Sequence, residues 1–126
     1  MGTKEYHRLW KKEYRKTNVG KAGQLLGSAK SRANRKNIEI TITKDWVLQK
    51  LNLGVCELSG IDFDMAPNGR TNRNPKSPSI DRINSNLGYT PENCRLVLLS
   101  INDALNQYGL DHFLTVAKAV INKQKE

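Results

Sequence analysis

Apolar residues recur along this chain in two different rhythms, and each rhythm predicts its own kind of element. Between Lys4 and Lys16, Tyr6, Leu9, Trp10 and Tyr14 fall near helical spacing with basic residues between them. Thr17-Asn18-Val19-Gly20 breaks that run. A second helix is predicted from about Lys21 to Arg35, with Leu25, Leu26, Ala29 and Ala33 on its apolar side. Ile38-Glu39-Ile40-Thr41-Ile42 alternates apolar and polar residues and predicts a short strand. Thr43 then reads as an N-cap, with Asp45 in the first turn favourable to the helix dipole, for a helix running to about Leu51 and stopped by Gly54.

Val55-Cys56-Glu57-Leu58 predicts another strand and Ser59-Gly60 a turn. Residues 62–79 are polar and rich in Pro, Asn, Gly and Ser, which predicts a long loop; loops of that length are often functional or mobile. Asp62 and Asp64 within it read as turn residues rather than as ligands. Two apolar segments follow, one ending at Asp81 and one spanning Cys94 to Leu99, and they predict a hairpin. Ser100 is expected to cap a helix containing Asn102, Leu105 and Tyr108, with Gly109 ending it. A last helix from about Leu110 to Lys123 carries Phe113, Leu114, Val116, Ala117, Val120 and Ile121, a stripe expected to close the core.

The fold class that follows is α+β: a basic helical N-terminal region, then a small ββα core and a C-terminal helix. The expected division is residues 1–50, a helical nucleic-acid-binding region, and residues 51–126, the core with its C-terminal helix. Short strands and a hairpin pairing argue against a long parallel sheet.

Charge sharpens this division. The 126 residues carry a formal net charge of +9, which favours a polyanionic partner. Residues 1–50 hold 13 basic against 4 acidic residues, whereas residues 51–126 hold 8 of each. The candidate phosphate-binding residues are Lys11, Lys12, Arg15, Lys30, Arg32, Arg35 and Lys36 in the first part, with Arg70 and Arg73 in the long loop. The absence of a long apolar run excludes a membrane span and a secretory signal, so a cytoplasmic setting is expected. The two cysteines, Cys56 and Cys94, cannot complete a structural zinc site, which takes four Cys or His ligands, and are read as small buried hydrophobes.

The candidate chemistry is concentrated in Ser77-Pro78-Ser79-Ile80-Asp81-Arg82-Ile83-Asn84, then Gly88-Tyr89-Thr90-Pro91-Glu92-Asn93-Cys94-Arg95, then Asn102. A strand ends in a carboxylate, a polar loop is closed by an Asn, and a helix after the second strand offers another Asn near its start. That is the outline of a metal site. A hard divalent cation such as Mg²⁺ takes oxygen ligands and keeps several waters, so one carboxylate and one amide oxygen make a reasonable protein share of its shell.

These residues resemble the HNH, or ββα-metal, nucleases, in which a hairpin and a helix hold one divalent ion against a scissile phosphate. The resemblance covers roughly residues 53 to 108, and its SxDRI, GYTxEN and downstream Asn features are those of phage-type members. It implies Asp81 and Asn102 as metal ligands and Asn93 as the residue that pins the loop. It further implies one Mg²⁺ or Mn²⁺ per site, DNA as substrate, products with 5′ phosphate, and a phage or prophage origin. A double-strand break would need a homodimer or two visits.

Arg82 departs from the pattern, because most members carry His after the Asp as proton acceptor. A guanidinium stays charged at any workable pH and cannot take that proton. Its chemistry suits clamping a phosphate during displacement. The base must then come from elsewhere: hydroxide at the metal, the substrate, or a side chain such as His112, His7, Tyr89 or Tyr108. The expected function is a metal-dependent DNA endonuclease with Asp81, Arg82, Asn93 and Asn102 as its catalytic group. The alternative is a non-catalytic nucleic-acid-binding protein on a decayed scaffold of the same type.

Overall fold

Thr17 sets the first well-defined helix. Its hydroxyl accepts a hydrogen bond from the Gly20 amide at 3.0 Å, so α1 runs over Asn18–Lys36 and begins within the predicted break. The computed structural model describes residues 3–6, 9–10, 17–66 and 73–126. Of the predicted helix over 4–16, residues 4–6 and 9–10 are helical and Tyr6, Leu9 and Trp10 are exposed; the remainder lies outside the described residues.

The inward face of α1 is made of small residues at helical spacing, Ala22, Ala29 and Ala33 with Leu26. Asn37 ends the helix in the left-handed conformation (φ 54°), which Asn tolerates at modest cost. α2, Lys44–Leu53, follows the predicted cap: Thr43 accepts from the Trp46 amide, and Gly54 closes the helix at φ 78°. Its buried residues Val47 and Leu51 join the small-residue face of α1 in one apolar cluster, and Asn18 bonds Asn52 between the two helices at 3.0 Å.

The sheet has two antiparallel strands, β1 (Pro78–Arg82) and β2 (Cys94–Leu98). Their register sets Ile80 opposite Leu96, Asp81 opposite Arg95 and Arg82 opposite Cys94. Successive strand residues face opposite ways. Ile80, Leu96 and Cys94 therefore meet α1 and α2 in the main apolar cluster, which also holds Tyr89, while Val97 packs with Cys56, Leu98 and Ile101 in a second cluster. The main cluster has members on both sides of residue 50, Val47 before it and Leu51 after it among them.

Neither of the other two predicted strands forms as an extended strand. Ile40 makes an isolated bridge with Tyr89, and Val55 one with Asp62. Alternation prepares a segment for pairing, but a ladder needs a partner of matching length. At Glu57 a side chain supplies part of it: the Glu57 amide donates to Leu96 O, and the Leu96 amide donates back to the Glu57 carboxylate. The segment Glu39–Ile42 instead grips the hairpin loop, with Tyr89 N–H on Glu39 O and Thr41 N–H on Tyr89 O. Gly88 is required there, since a Cβ would stand 2.4 Å from the Glu39 carbonyl oxygen.

α3, Leu99–Leu105, follows β2 without a loop, and α4 spans Gly109–Gln124. Ser100 is not the cap. Leu98 holds that position with no side-chain bond, and the open Leu99 and Ser100 amides donate to Ser77 O and Pro75 O of the chain leading into β1. Gly109 opens α4 instead of ending α3, whose end is Asn106 at φ 44°. The expectation that the last helix closes the core is also corrected. No residue of α4 is buried, and Leu114, Val116, Val120 and Ile121 remain exposed, because α4 packs chiefly on α3 among the described elements.

Candidate functional site

The face of the hairpin turned away from α1 and α2 carries Ser79 and Asp81 at alternate positions on β1, with Val97 across from Ser79 and Arg95 across from Asp81 on β2. Asp81 is 5% exposed. Its Oδ2 accepts a hydrogen bond from Arg95 Nε at 2.8 Å, in an ion pair whose arginine is also largely shielded. Burial raises the Asp81 carboxyl above its ordinary value, and the Arg95 bond and charge, with a smaller pull from Arg82, act in the opposite direction.

Asn102, on α3, turns back to the same strand. Its Nδ2 donates to Ser79 Oγ at 2.7 Å and to the Ile80 carbonyl at 3.1 Å, the carbonyl of the peptide that leads into Asp81. A carbonyl accepts only, so the amide nitrogen is the atom directed at the strand and the amide oxygen is left for another partner. Two hard oxygen donors on one small patch, a carboxylate and an amide, suit a divalent cation that keeps much of its water. Among the described residues no group of three or more His, Cys, Asp and Glu side chains gathers to hold a metal, at this patch or elsewhere.

Asn93 serves the loop between the strands. Its Oδ1 accepts from the Asn84 amide at 2.9 Å, while its Nδ2 donates to Asn84 O at 3.0 Å and Gly88 O at 2.8 Å. Both ends of the loop are thus tied to one buried side chain. Arg82 adds a second tie: its Nη1 donates to Ser85 O and Leu87 O, and its guanidinium lies 4.9 Å from the centre of the Tyr89 ring. In register with Cys94, Arg82 leaves the strand on the side opposite Asp81, and a good part of its cation is held by the loop.

A cleft of about 290 Å³ opens beside these groups, bordered by Asp81, Arg82 and Arg95 on the hairpin and by Asn106 and Gln107 beyond α3. Of the candidate proton acceptors, Tyr89 is buried beneath Arg82, whereas Tyr108 and His112 lie near each other on the surface with ring centroids 5.5 Å apart. His7 lies outside the described residues.

Lys30, Arg32, Arg35 and Lys36 are all exposed on α1. Arg35 and Lys36 occupy its last turn, where they also oppose the helix dipole. Glu39, three residues on, bonds Tyr89, so this basic end stands beside the loop that borders the cleft. Arg73 pairs with Asp103 at 2.8 Å on the surface. Lys11, Lys12, Arg15 and Arg70 lie outside the described residues. Asp64 accepts from the Ala66 amide, in keeping with a turn role.

Sequence reasoning missed Ser79 and Arg95. Ser79 had a readable signal, standing two positions before Asp81 and so on the same strand face. Arg95 had none until the register of the two strands was known.

A hairpin followed directly by a helix, with further helices packed around a two-stranded antiparallel sheet, is an α+β arrangement of the HNH-like type. A solved structure to which the chain is similar is that of the rare-cutting HNH restriction endonuclease PacI, with a TM-score of 0.60 over 79% of this chain and 76% of that one, at 22% identity. At that identity the likeness establishes the fold. No family model and no curated protein sequence matches the chain. Among the described residues no helix is long and apolar enough to cross a membrane.

Proposed function

We propose that this chain is a metal-dependent endonuclease that hydrolyses phosphodiester bonds in DNA. The observation that carries the reading is that Asn102 bonds Ser79 and the Ile80 carbonyl on the strand whose next residue, Asp81, borders an open cleft. The HNH-like fold, shared with an HNH restriction endonuclease, supports it.

In this reading Asp81 and Asn102 would hold Mg²⁺ or Mn²⁺, one ion per site. A bound cation supplies positive charge where negative charge develops during displacement at phosphorus. The protein's own part is positional. Asn93 keeps the loop in one conformation through three hydrogen bonds, and Arg82 stiffens it through two more while bordering the cleft. Donors held in place before reaction stabilise developing charge without further reorganisation. Lys30, Arg32, Arg35 and Lys36, with Lys11, Lys12, Arg15, Arg70 and Arg73, would bind the phosphate backbone, positioning the duplex without reading its sequence.

The test is plasmid nicking with Mg²⁺ or Mn²⁺, an EDTA control and Asp81→Ala. Cleavage that depends on metal and on Asp81 supports the enzyme. A second reading, a DNA-binding protein on a decayed scaffold, is favoured by one feature: Arg82 stands where a proton acceptor is expected and is engaged by loop carbonyls. Intact plasmid with retained, salt-sensitive binding selects that reading.

A further inference from the structure

Two arginines border the cleft, and they differ in what holds them. Arg82 is bound by two loop carbonyls and lies against Tyr89. Arg95 sits directly opposite Asp81 in the strand register, shares its face, and is attached by a charge-assisted bond from Nε at 2.8 Å. From these contacts we infer that Arg95 is a substrate-binding residue: it stands in for the cation on Asp81 in the free protein and moves to a DNA phosphate when metal and DNA arrive together.

This role for Arg95 rests on Asp81 as a metal ligand and extends that reading. The Asp81–Arg95 pair is well shielded, with side chains 6% and 14% exposed, so it is not an ordinary surface ion pair. A dication approaching Asp81 meets a guanidinium already on the carboxylate. Among the described residues the charges lining the cleft are one carboxylate and two guanidiniums, Asp81 against Arg82 and Arg95, so these groups are net cationic before any metal enters. Metal alone therefore adds like charge. A phosphodiester supplies the missing anion and gives the displaced guanidinium a planar, bidentate partner. Arg95 has room for that exchange, because it and Asp81 border the same open cleft.

The consequence is reciprocal coupling: DNA raises metal affinity, and metal raises DNA affinity by the same factor. The experiment is Mn²⁺ titration of the full chain, followed by electron paramagnetic resonance of the free ion, with and without a short phosphorothioate duplex that resists hydrolysis. Wild type should bind Mn²⁺ weakly alone and roughly tenfold or more tightly with the duplex. Arg95→Gln should bind Mn²⁺ more tightly than wild type without DNA, and lose most of the gain on adding it. Arg95→Lys, which keeps the cation but not the planar fork, should stay near wild type without DNA and recover only part of the gain on adding it. The wild-type pair of titrations needs no variant, so the inference remains testable if Arg95→Gln folds poorly by circular dichroism. Equal wild-type affinity with and without duplex overturns it, as does Arg95→Gln binding unchanged while Asp81→Ala abolishes binding. If Asp81→Ala leaves Mn²⁺ binding unaltered in both conditions, the metal-ligand reading falls and this inference with it.

Discussion

The two faces of the β1–β2 hairpin make a useful comparison. One presents Ile80, Leu96 and Cys94 to α1 and α2, with Arg82 at its end; the other presents Ser79, Asp81 and Arg95, with Val97 across from Ser79 and Asn102 reaching in from α3. The same ten strand residues thus serve as core on one side and as candidate chemistry on the other. The lesson is that rigidity is supplied from behind. A buried carboxylate can be held in place because the residues alternating with it are locked in an apolar cluster.

The comparison breaks most visibly at Asp81. Asp81→Ala should lower metal-dependent nicking on the order of 10²-fold or more, the scale of losing one preorganised electrostatic group, while circular dichroism shows the fold retained. The opposite face should behave in reverse. Leu96→Ala, at a fully buried position, should cost about 2–5 kcal/mol in urea unfolding, because it removes packing and leaves a cavity.

The loop lies between the two faces and should show both effects. Asn93→Ala removes three hydrogen bonds and leaves the Asn84 amide without its partner. A stability loss of about 1–3 kcal/mol is expected by denaturant titration, with a larger proportional loss of nicking as the loop slackens. Gly88→Ala tests the grip of Glu39–Ile42 on that loop. The added methyl meets a backbone oxygen that cannot swing away, so a lower melting temperature is expected, corresponding to about 1–3 kcal/mol.

The smallest effect concerns the apolar face. Burial pushes the Cys94 thiol up to about 11 from an ordinary 9.0. Because the folded value exceeds the unfolded one, the contribution of Cys94 to stability is fully present below pH 9 and is lost as pH rises through 11. Iodoacetamide at pH 8 should therefore leave Cys94 unmodified in the native protein and alkylate it after urea unfolding, as read by mass spectrometry.

Much of the fold was legible in the sequence where local rules govern. Thr43 and Gly54 delimit α2 as cap chemistry requires, and the hairpin follows the apolar runs on either side of a polar loop. Ile38–Ile42, by its alternation, and Val55–Leu58, by its apolar content, misled, because each states a preference for pairing and not the presence of a partner. The start of α3 was displaced by one turn's chemistry: carbonyls of Pro75 and Ser77 took the place a serine cap was expected to fill.

By itself the sequence determined the strand that carries Asp81, the side chain that closes its loop at Asn93, and a helix that starts close enough behind for Asn102 to turn back. The strand and the helix depend on spacing, capping and alternation over a few residues, and the role of Asn93 was implied by the family resemblance. Only the tertiary structure decided which arginine stands on Asp81, that Tyr89 is buried under Arg82, and that the apolar stripe of α4 stays open. Each of those depends on strand register or on contacts between distant segments, and a linear pattern says which face seeks a partner without saying which partner arrives.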